Sequence, residues 1–159
     1  LNSSLFKRLK VKTMIREMLE SDIKEVVELD QECFLSPYDE KQIRYELLEN
    51  PFSFLYVAIE EEKIVGFIDF WITFDIGQLN QIAVLPSFRR KGIASRLLEK
   101  AFQIMYEKRV VNVTLEVRYH NEKAIQFYQK HGFIKTLTKK AYYDNGDDAY
   151  YMERGMLDV

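Results

Sequence analysis

The run Gln81-Ile82-Ala83-Val84-Leu85-Pro86-Ser87-Phe88-Arg89-Arg90-Lys91-Gly92-Ile93-Ala94 constrains the fold more than any other part of the chain. An apolar strand enters a basic, glycine-bearing turn, and the turn opens a long amphipathic segment. The first amides of a helix have no intrahelical acceptor, and the helix dipole adds roughly half a positive charge there. Gly92 has no side chain, so an anion can approach the backbone closely. Arg89, Arg90 and Lys91 add cationic side chains, and a pyrophosphate suits such a site. The spacing is neither a Walker loop nor Gly-x-Gly-x-x-Gly, so mononucleotide P-loops and Rossmann sites are not indicated. On its own, a solvated basic turn would read the same way.

The surrounding pattern supplies the frame. Ile15 to Met18 predicts a short strand. Ser21 predicts an N-cap for a helix carrying Ile23, Val26, Val27 and Leu29 to Phe34. Asp39 caps a second helix to Glu49, with Ile43, Leu47 and Leu48 inward, and Asn50-Pro51 ends it. Phe54–Glu60 and Ile64–Phe74 read as a hairpin, and Gln78–Leu85 follows the turn Asp75-Ile76-Gly77. A helix from Gly92 to about Arg109 leads to a strand over Asn112–Val117. A helix over Asn121–His131 is stopped by Gly132, and two last strands cover Phe133–Thr138 and Ala149–Gly155. This order predicts an α/β (α+β) fold, with a mixed, mostly antiparallel central sheet of about seven strands flanked by helices on both faces.

Length and composition bound the rest. The 159 residues suit one domain with a real core, and 47% hydrophobic residues exclude a disordered chain. Net charge is −2, so no global field draws nucleic acid or an acidic membrane. No apolar run approaches the roughly 20 residues of a membrane span. Cys33 is the only cysteine, which excludes an intrachain disulfide and fits a reducing, cytoplasmic setting. Residues 1–13 are basic and lack a clean strand or helix signal. They read as a cloning remnant or an upstream extension, with residues 14–159 as a single domain.

A second constellation lies at Glu116 to Phe133. On the strand Asn112–Val117, Val113, Leu115 and Val117 share one face and Thr114 and Glu116 the other. A central strand of an α/β sheet buries both faces, so a carboxylate at Glu116 needs a reason. One is an ion pair with a neighbour such as Arg118; the other is a cleft that it lines. Asn121-x-x-Ala124-Ile125-x-x-Tyr128-x-x-x-Gly132-Phe133 follows at once, with Ala124, Ile125 and Tyr128 on one helical face.

Arg89-x-x-Gly92-x-Ala94 followed by this segment resembles the GNAT acetyltransferases. Ile82-Ala83-Val84, Leu115-Glu116-Val117-Arg118, Phe34-Leu35-Ser36-Pro37-Tyr38, and Tyr142-Tyr143 with Asp147-Asp148-Ala149 and Met152 resemble the ribosomal-protein-alanine N-acetyltransferase branch. Tyr38 stands where that branch has tryptophan, Ala94 takes the last glycine position, and Gln81 replaces a common asparagine.

The resemblance implies transfer of acetyl from acetyl-CoA to a protein N-terminal α-amine, with ribosomal protein S18 as the branch's substrate. Acyl transfer to a small-molecule amine or a lysine side chain, and an acyl-CoA-binding module without turnover, are the alternatives. It also implies backbone pairing of the pantetheine arm with the strand at Ile82, Ala83 and Val84. The Val84 amide faces the oxyanion, the pyrophosphate lies on Arg89, Arg90, Lys91, Gly92, Ile93, Ala94 and Ser95, and Asn121 contacts the cofactor further along. Glu116 is then the general base and Tyr128 the general acid, with Tyr38, Tyr142 and Tyr143 as weaker substrate contacts. No metal, nucleic acid or membrane partner is expected, and the protein is expected as a monomer or weak dimer. The acidic stretch Asp144, Asp147, Asp148 reads equally as a lure for a cationic N-terminus or as a solvated turn. His120 and His131 read as surface residues.

Overall fold

The computed structural model describes residues 13–34 and 36–156. Of the segment 1–13 only Thr13 is therefore described, and Leu35 of the Phe34–Tyr38 element lies outside. The elements are β1 (Met14–Glu17), a 3-10 turn at Glu20–Asp22, α1 (Ile23–Cys33), α2 (Glu40–Leu48), β2 (Ser53–Glu60), β3 (Lys63–Thr73), β4 (Ile76–Val84), a 3-10 turn at Pro86–Phe88, α3 (Ile93–Glu107), β5 (Asn112–Arg118), α4 (Glu122–Lys130), β6 (Ile134–Lys139) and β7 (Ala149–Gly155). The seven strands form one sheet in the order β1-β2-β3-β4-β5-β7-β6. β1–β2, β5–β7 and β6–β7 are antiparallel and β4–β5 is parallel, so the sheet is mixed and mostly antiparallel, as expected.

The described chain groups into two compact units. The first holds the residues up to Asn50, Leu55–Ile68 and Ile82–Lys100. Its core packs Met18, Ile23, Val26, Leu29 and Ile43 from the helical side against Leu55, Val57, Ile64, Phe67, Ala83 and Leu85 from the strands. Ile64 to Phe70 on β3 are buried without interruption, the pattern of a strand covered on both faces. Gly66 on that strand is required by close approach: a Cβ there would stand 2.8 Å from the Ala83 carbonyl oxygen.

The start of α1 differs from the expectation. Ser21 does not cap it. The buried Asp22 carboxylate accepts from the Leu19 amide at 2.7 Å and from two guanidinium nitrogens of Arg16 at 2.7 and 3.0 Å. The Arg16 charge and these bonds hold the Asp22 carboxyl below the usual carboxylate range. Ser21 itself lies inside the 3-10 turn Glu20–Asp22, which runs directly into α1, so the backbone is already helical where a side-chain cap would stand. Asp39 caps α2 as expected, in a reciprocal box: Gln42 N donates to Asp39 Oδ1 at 2.8 Å and Asp39 N to Gln42 Oε1 at 2.9 Å. Leu48 is half exposed rather than inward, while Glu46 is buried.

The second unit holds Pro51–Phe54, Asp69–Gln81 and the residues from Ala101 on. Phe133 is buried between the Phe102 ring at 6.1 Å and the Tyr128 ring at 5.7 Å. The turn before β4 is Phe74-Asp75 rather than Asp75-Ile76-Gly77, with Phe74 at φ 54° and 92% exposed.

Two irregularities of the ladders bear on function. β4 pairs with β5 only from Ile76↔Asn112 to Leu79↔Leu115, although β4 runs on to Val84 and β5 to Arg118. Glu116 is thus the first β5 residue past the last pair. β6 carries a bulge at Thr136: Lys135 opposes Met152 and Leu137 opposes Tyr151, the next residue along β7.

Candidate active site

In the first unit, β4 delivers Ile82, Ala83 and Val84 to the basic turn. Ala83 and Val84 are buried and Ile82 is half-buried. Leu85 N donates to the Val65 carbonyl at 2.8 Å, and Pro86 opens the 3-10 turn that redirects the chain. Arg90 and Gly92 then both take left-handed backbone, at φ 64° and 79°. Alternation of this kind turns successive amides inward into an anion-binding concavity. A Cβ added at Gly92 would meet nothing within 4 Å, so the space over that backbone is open. The first α3 bond runs from Arg96 N to Gly92 O at 3.0 Å, and the amides of Ile93, Ala94 and Ser95 precede it.

The cations of the turn do not act alike. Arg89 Nε donates to the Val84 carbonyl at 2.9 Å, so this side chain ties the turn back to β4. The Cys33 thiol also reaches that carbonyl, at 3.6 Å, and burial pushes its pKa up, away from a nucleophilic thiolate. Lys91 lies over the Phe88 ring at 5.1 Å, and Lys63 of the β2–β3 hairpin lies over the same ring at 5.8 Å. Arg90 and Lys91 are exposed. Lys63 was invisible to motif reading, because its place beside the turn comes from strand pairing and not from spacing. Tyr38 also belongs to this unit, where its amide donates to Asp30 Oδ2 at 2.6 Å and its side chain packs on the core.

In the second unit, β5 carries Glu116. Its partner is Lys139 of β6, whose Nζ donates to Glu116 Oε1 at 2.7 Å, and not Arg118. The Glu116 side chain is 15% exposed. Arg118 turns instead to Asp147 at 2.9 Å and stacks on the Tyr143 ring at 3.9 Å. Asn121 caps α4: the Ala124 amide donates to its Oδ1 at 3.3 Å, leaving the Nδ2 end for other work. Tyr128 lies on that helix with its ring against Phe127 and Phe133. Its hydroxyl makes no hydrogen bond among the described residues, and burial, helped by the nearby Tyr143, raises its pKa beyond the tyrosine range. Burial likewise pushes Tyr143 up to about 12, against the pull of Arg118. Tyr142 is half exposed and meets Tyr143 edge-on at 5.1 Å.

The acidic stretch resolves toward a structural turn. Asp147 accepts from Arg118, His120 and Asn145, and Asp148 from the Ala141 amide and Lys140. Both carboxyls are held below their usual range by these bonds. His120 is exposed beside Asp147, and His131 packs against Phe127 at the end of α4.

The family is given by direct comparison. The family described as Acetyltransferase (GNAT) matches residues 23–133, and the chain belongs to it. A candidate [ribosomal protein bS18]-alanine N-acetyltransferase of Bacillus subtilis is 34% identical over 145 residues, 91% of this chain and 96% of the relative. The crystal structure of Ard1 from Thermoplasma volcanium superposes with a TM-score of 0.86 at 32% identity, covering 92% of this chain and 99% of that one. Arabidopsis thaliana NAA60, solved in complex with acetyl-CoA, shares the fold with a TM-score of 0.81 at 17% identity, covering 91% and 98%.

Proposed function

We propose that this protein transfers the acetyl group of acetyl-CoA to the N-terminal α-amine of a protein, and that ribosomal protein S18 with an alanine first is its substrate type. The observation that carries the reading is the end of the β4–β5 ladder at Leu79↔Leu115, one residue before a largely buried carboxylate. Backbone beyond such a point is available for strand addition by an extended ligand. The Bacillus subtilis relative, similar over nearly its whole length, supports the substrate type.

In this reading the first unit holds the acyl donor. The open backbone at Gly92, the left-handed Arg90 and the early amides of α3 suit a pyrophosphate, with Arg90 and Lys91 as mobile cations. Arg89 shapes the turn through Val84. Ile82, Ala83 and Val84 pair with the pantetheine arm, and the Val84 amide stabilises the thioester oxyanion. Asn121 of the second unit is the further cofactor contact, through its Nδ2.

The second unit handles protons. The amine nitrogen attacks the thioester carbon, an amide bond forms and the C–S bond breaks. Glu116 takes the amine proton, directly or through water, with the oxygen that Lys139 leaves free. Tyr128 supplies a proton to the departing thiolate, and its raised pKa keeps it protonated through the neutral range. An α-amine with pKa near 8 loses its proton at a cost of about 1 kcal/mol near neutral pH, so a base of modest strength suffices. In the second unit Tyr142 and Tyr143 line the path of the peptide.

The test is thiol release from acetyl-CoA with a panel of short peptides differing in the first residue, an N-blocked lysine peptide and a polyamine. Turnover restricted to free α-amines, best with alanine first, is expected. Turnover centred on the polyamine or the blocked lysine peptide would overturn the substrate type. Glu116→Gln and Tyr128→Phe should each lower kcat by about 10²–10⁴-fold with CoA binding retained. Unchanged turnover in both would remove their assigned roles.

A further inference from the structure

Lys139 takes no chemical part in the mechanism above, yet its ammonium is bonded directly to the proposed base. Its ammonium touches Glu116 Oε1 at 2.7 Å and lies over the rings of Tyr151, at 4.9 Å, and Tyr142, at 5.3 Å. A carboxylate and two aromatic faces around one nitrogen form a cation cage. The cage is built by register. Glu116 opposes Tyr151 on β7, and Tyr151 opposes Leu137 on β6, so these three side chains and Lys139, two residues on, share one face of the sheet. The bulge at Thr136 produces this alignment. In an unbroken ladder Thr136 would oppose Tyr151, and Lys139 would fall on the other face. Bulges beside functional sites re-aim side chains in this way.

We infer that Lys139 is a positioning residue that sets amine selectivity: by filling the cage with an internal ammonium, it makes Glu116 receive the incoming amine in its neutral form and so favours N-terminal α-amines over lysine side chains. The inference rests on the function proposed above. Two cations compete for one carboxylate, so a substrate that arrives charged is repelled, while a neutral amine is not. An α-amine has a pKa near 8 and a lysine ε-amine near 10.4, which makes the neutral fraction of the latter about 300-fold smaller at neutral pH. The bond to Glu116 raises the Lys139 pKa, so Lys139 stays cationic across the working range. The other titratable groups facing this cluster are Tyr142, Tyr143, Tyr151 and, through its ring contact with Tyr143, Arg118, itself paired with Asp147. Among the described residues, Glu116 is the one anion paired with the Lys139 ammonium.

The experiment compares the wild type with Lys139→Met and Lys139→Arg. It measures kcat/KM against pH on an alanine-first peptide and on its N-blocked, lysine-bearing counterpart, with CoA binding as a folding control. In the wild type kcat/KM on the α-amine should climb with pH until the substrate amine has lost its proton. In Lys139→Met the climb should move to lower pH, and the preference for α- over ε-amine should fall by at least about tenfold, a fraction of the 300-fold available. Lys139→Arg, which keeps the charge, should keep both the profile and the preference. If Lys139→Met loses rate equally on both peptides with the pH profile unmoved, the residue is structural and the inference is overturned while the proposed function stands. Lack of wild-type turnover on every amine, with CoA bound, would overturn both.

Discussion

Replacing Gly66 by alanine should destabilise the protein, while the same change at Gly77 should not, although the two sites are equally crowded by distance. A Cβ at Gly66 would lie 2.8 Å from the Ala83 carbonyl oxygen and 3.3 Å from both Leu97 Cδ1 and Val84 Cγ2. A Cβ at Gly77 would lie 2.9 Å from both Cε and Sδ of Met105, and 3.4 Å from Val110 Cγ1. Ordinary contact begins at 3.4 Å, so relief demands 3.4 − 2.8 = 0.6 Å at Gly66 and 3.4 − 2.9 = 0.5 Å at Gly77. What differs is the obstacle. At Gly77 it is the far end of a thioether with rotatable bonds, which can swing aside. At Gly66 it is the backbone of β4, fixed in the sheet. Alanine in place of a strand glycine gains about 0.5–1 kcal/mol through the unfolded chain, and overpacking costs about 1–3 kcal/mol where nothing can yield. The net expectation is about 1–2 kcal/mol lost for Gly66→Ala, or roughly 3–6 °C in Tm for a chain of this size, and no loss for Gly77→Ala. Urea unfolding reads both, as a lower midpoint at unchanged slope for the first variant. A Gly66→Ala midpoint at or above that of Gly77→Ala would refute the reasoning. Since the displaced segment holds Val84, Gly66→Ala should also slow turnover.

Other consequences are as direct. Gly92→Ala places a side chain on left-handed backbone and over the proposed phosphate site. It should cost about 1 kcal/mol of stability and weaken CoA binding about tenfold or more by titration calorimetry. Arg16→Met leaves the buried Asp22 carboxylate without its cation and should cost about 1–2 kcal/mol in denaturant unfolding. The sign of the pH effect follows from the lowered Asp22 pKa: its contribution is present above the unfolded value near 3.9 and is lost as pH falls through the folded value. Asp22→Asn should therefore lower stability at pH 7 and flatten its fall below about pH 4, as read by urea midpoints across pH. Deleting Thr136 should straighten β6 but leave Leu137 opposite Tyr151 and Lys139 on the Glu116 face, so the amine preference in the two-peptide assay should stay that of the wild type.

The fold was legible wherever one residue decides one local event. Asp39 and Gln42 are three apart and cap α2 by themselves, and Ile93, Leu97, Ala101, Ile104 and Met105 repeat at helical spacing and are all buried. The basic turn was legible for the same reason, since Arg89 to Gly92 are adjacent and the strand and helix on either side are strongly patterned. What escaped was set by distant pairing. Ser21 reads as a cap because nothing local shows that a 3-10 turn over Glu20–Asp22 leads straight into α1. Arg118, two residues away, is the only ion-pair partner for Glu116 that the sequence names, beside the alternative of a cleft. The true partner lies 23 residues on, across β7, and a bulge decides which way it faces. Periodicity along a strand gives the two faces but not the register that chooses between them.

The bulge at Thr136 also bears on how the protein behaves at high concentration. β6 ends the strand order, and it exposes Ile134 (66%) and Leu137 (47%) beside Lys135 and Lys139. A long, flat strand with such apolar residues at a sheet edge invites a second chain to extend the sheet, whereas a kink and flanking lysines discourage it. The residue that turns Lys139 toward Glu116 thus also keeps this edge from acting as a template. A variant that restores a straight β6 should therefore precipitate at concentrations where the natural sequence stays clear, even if its sheet is no less stable.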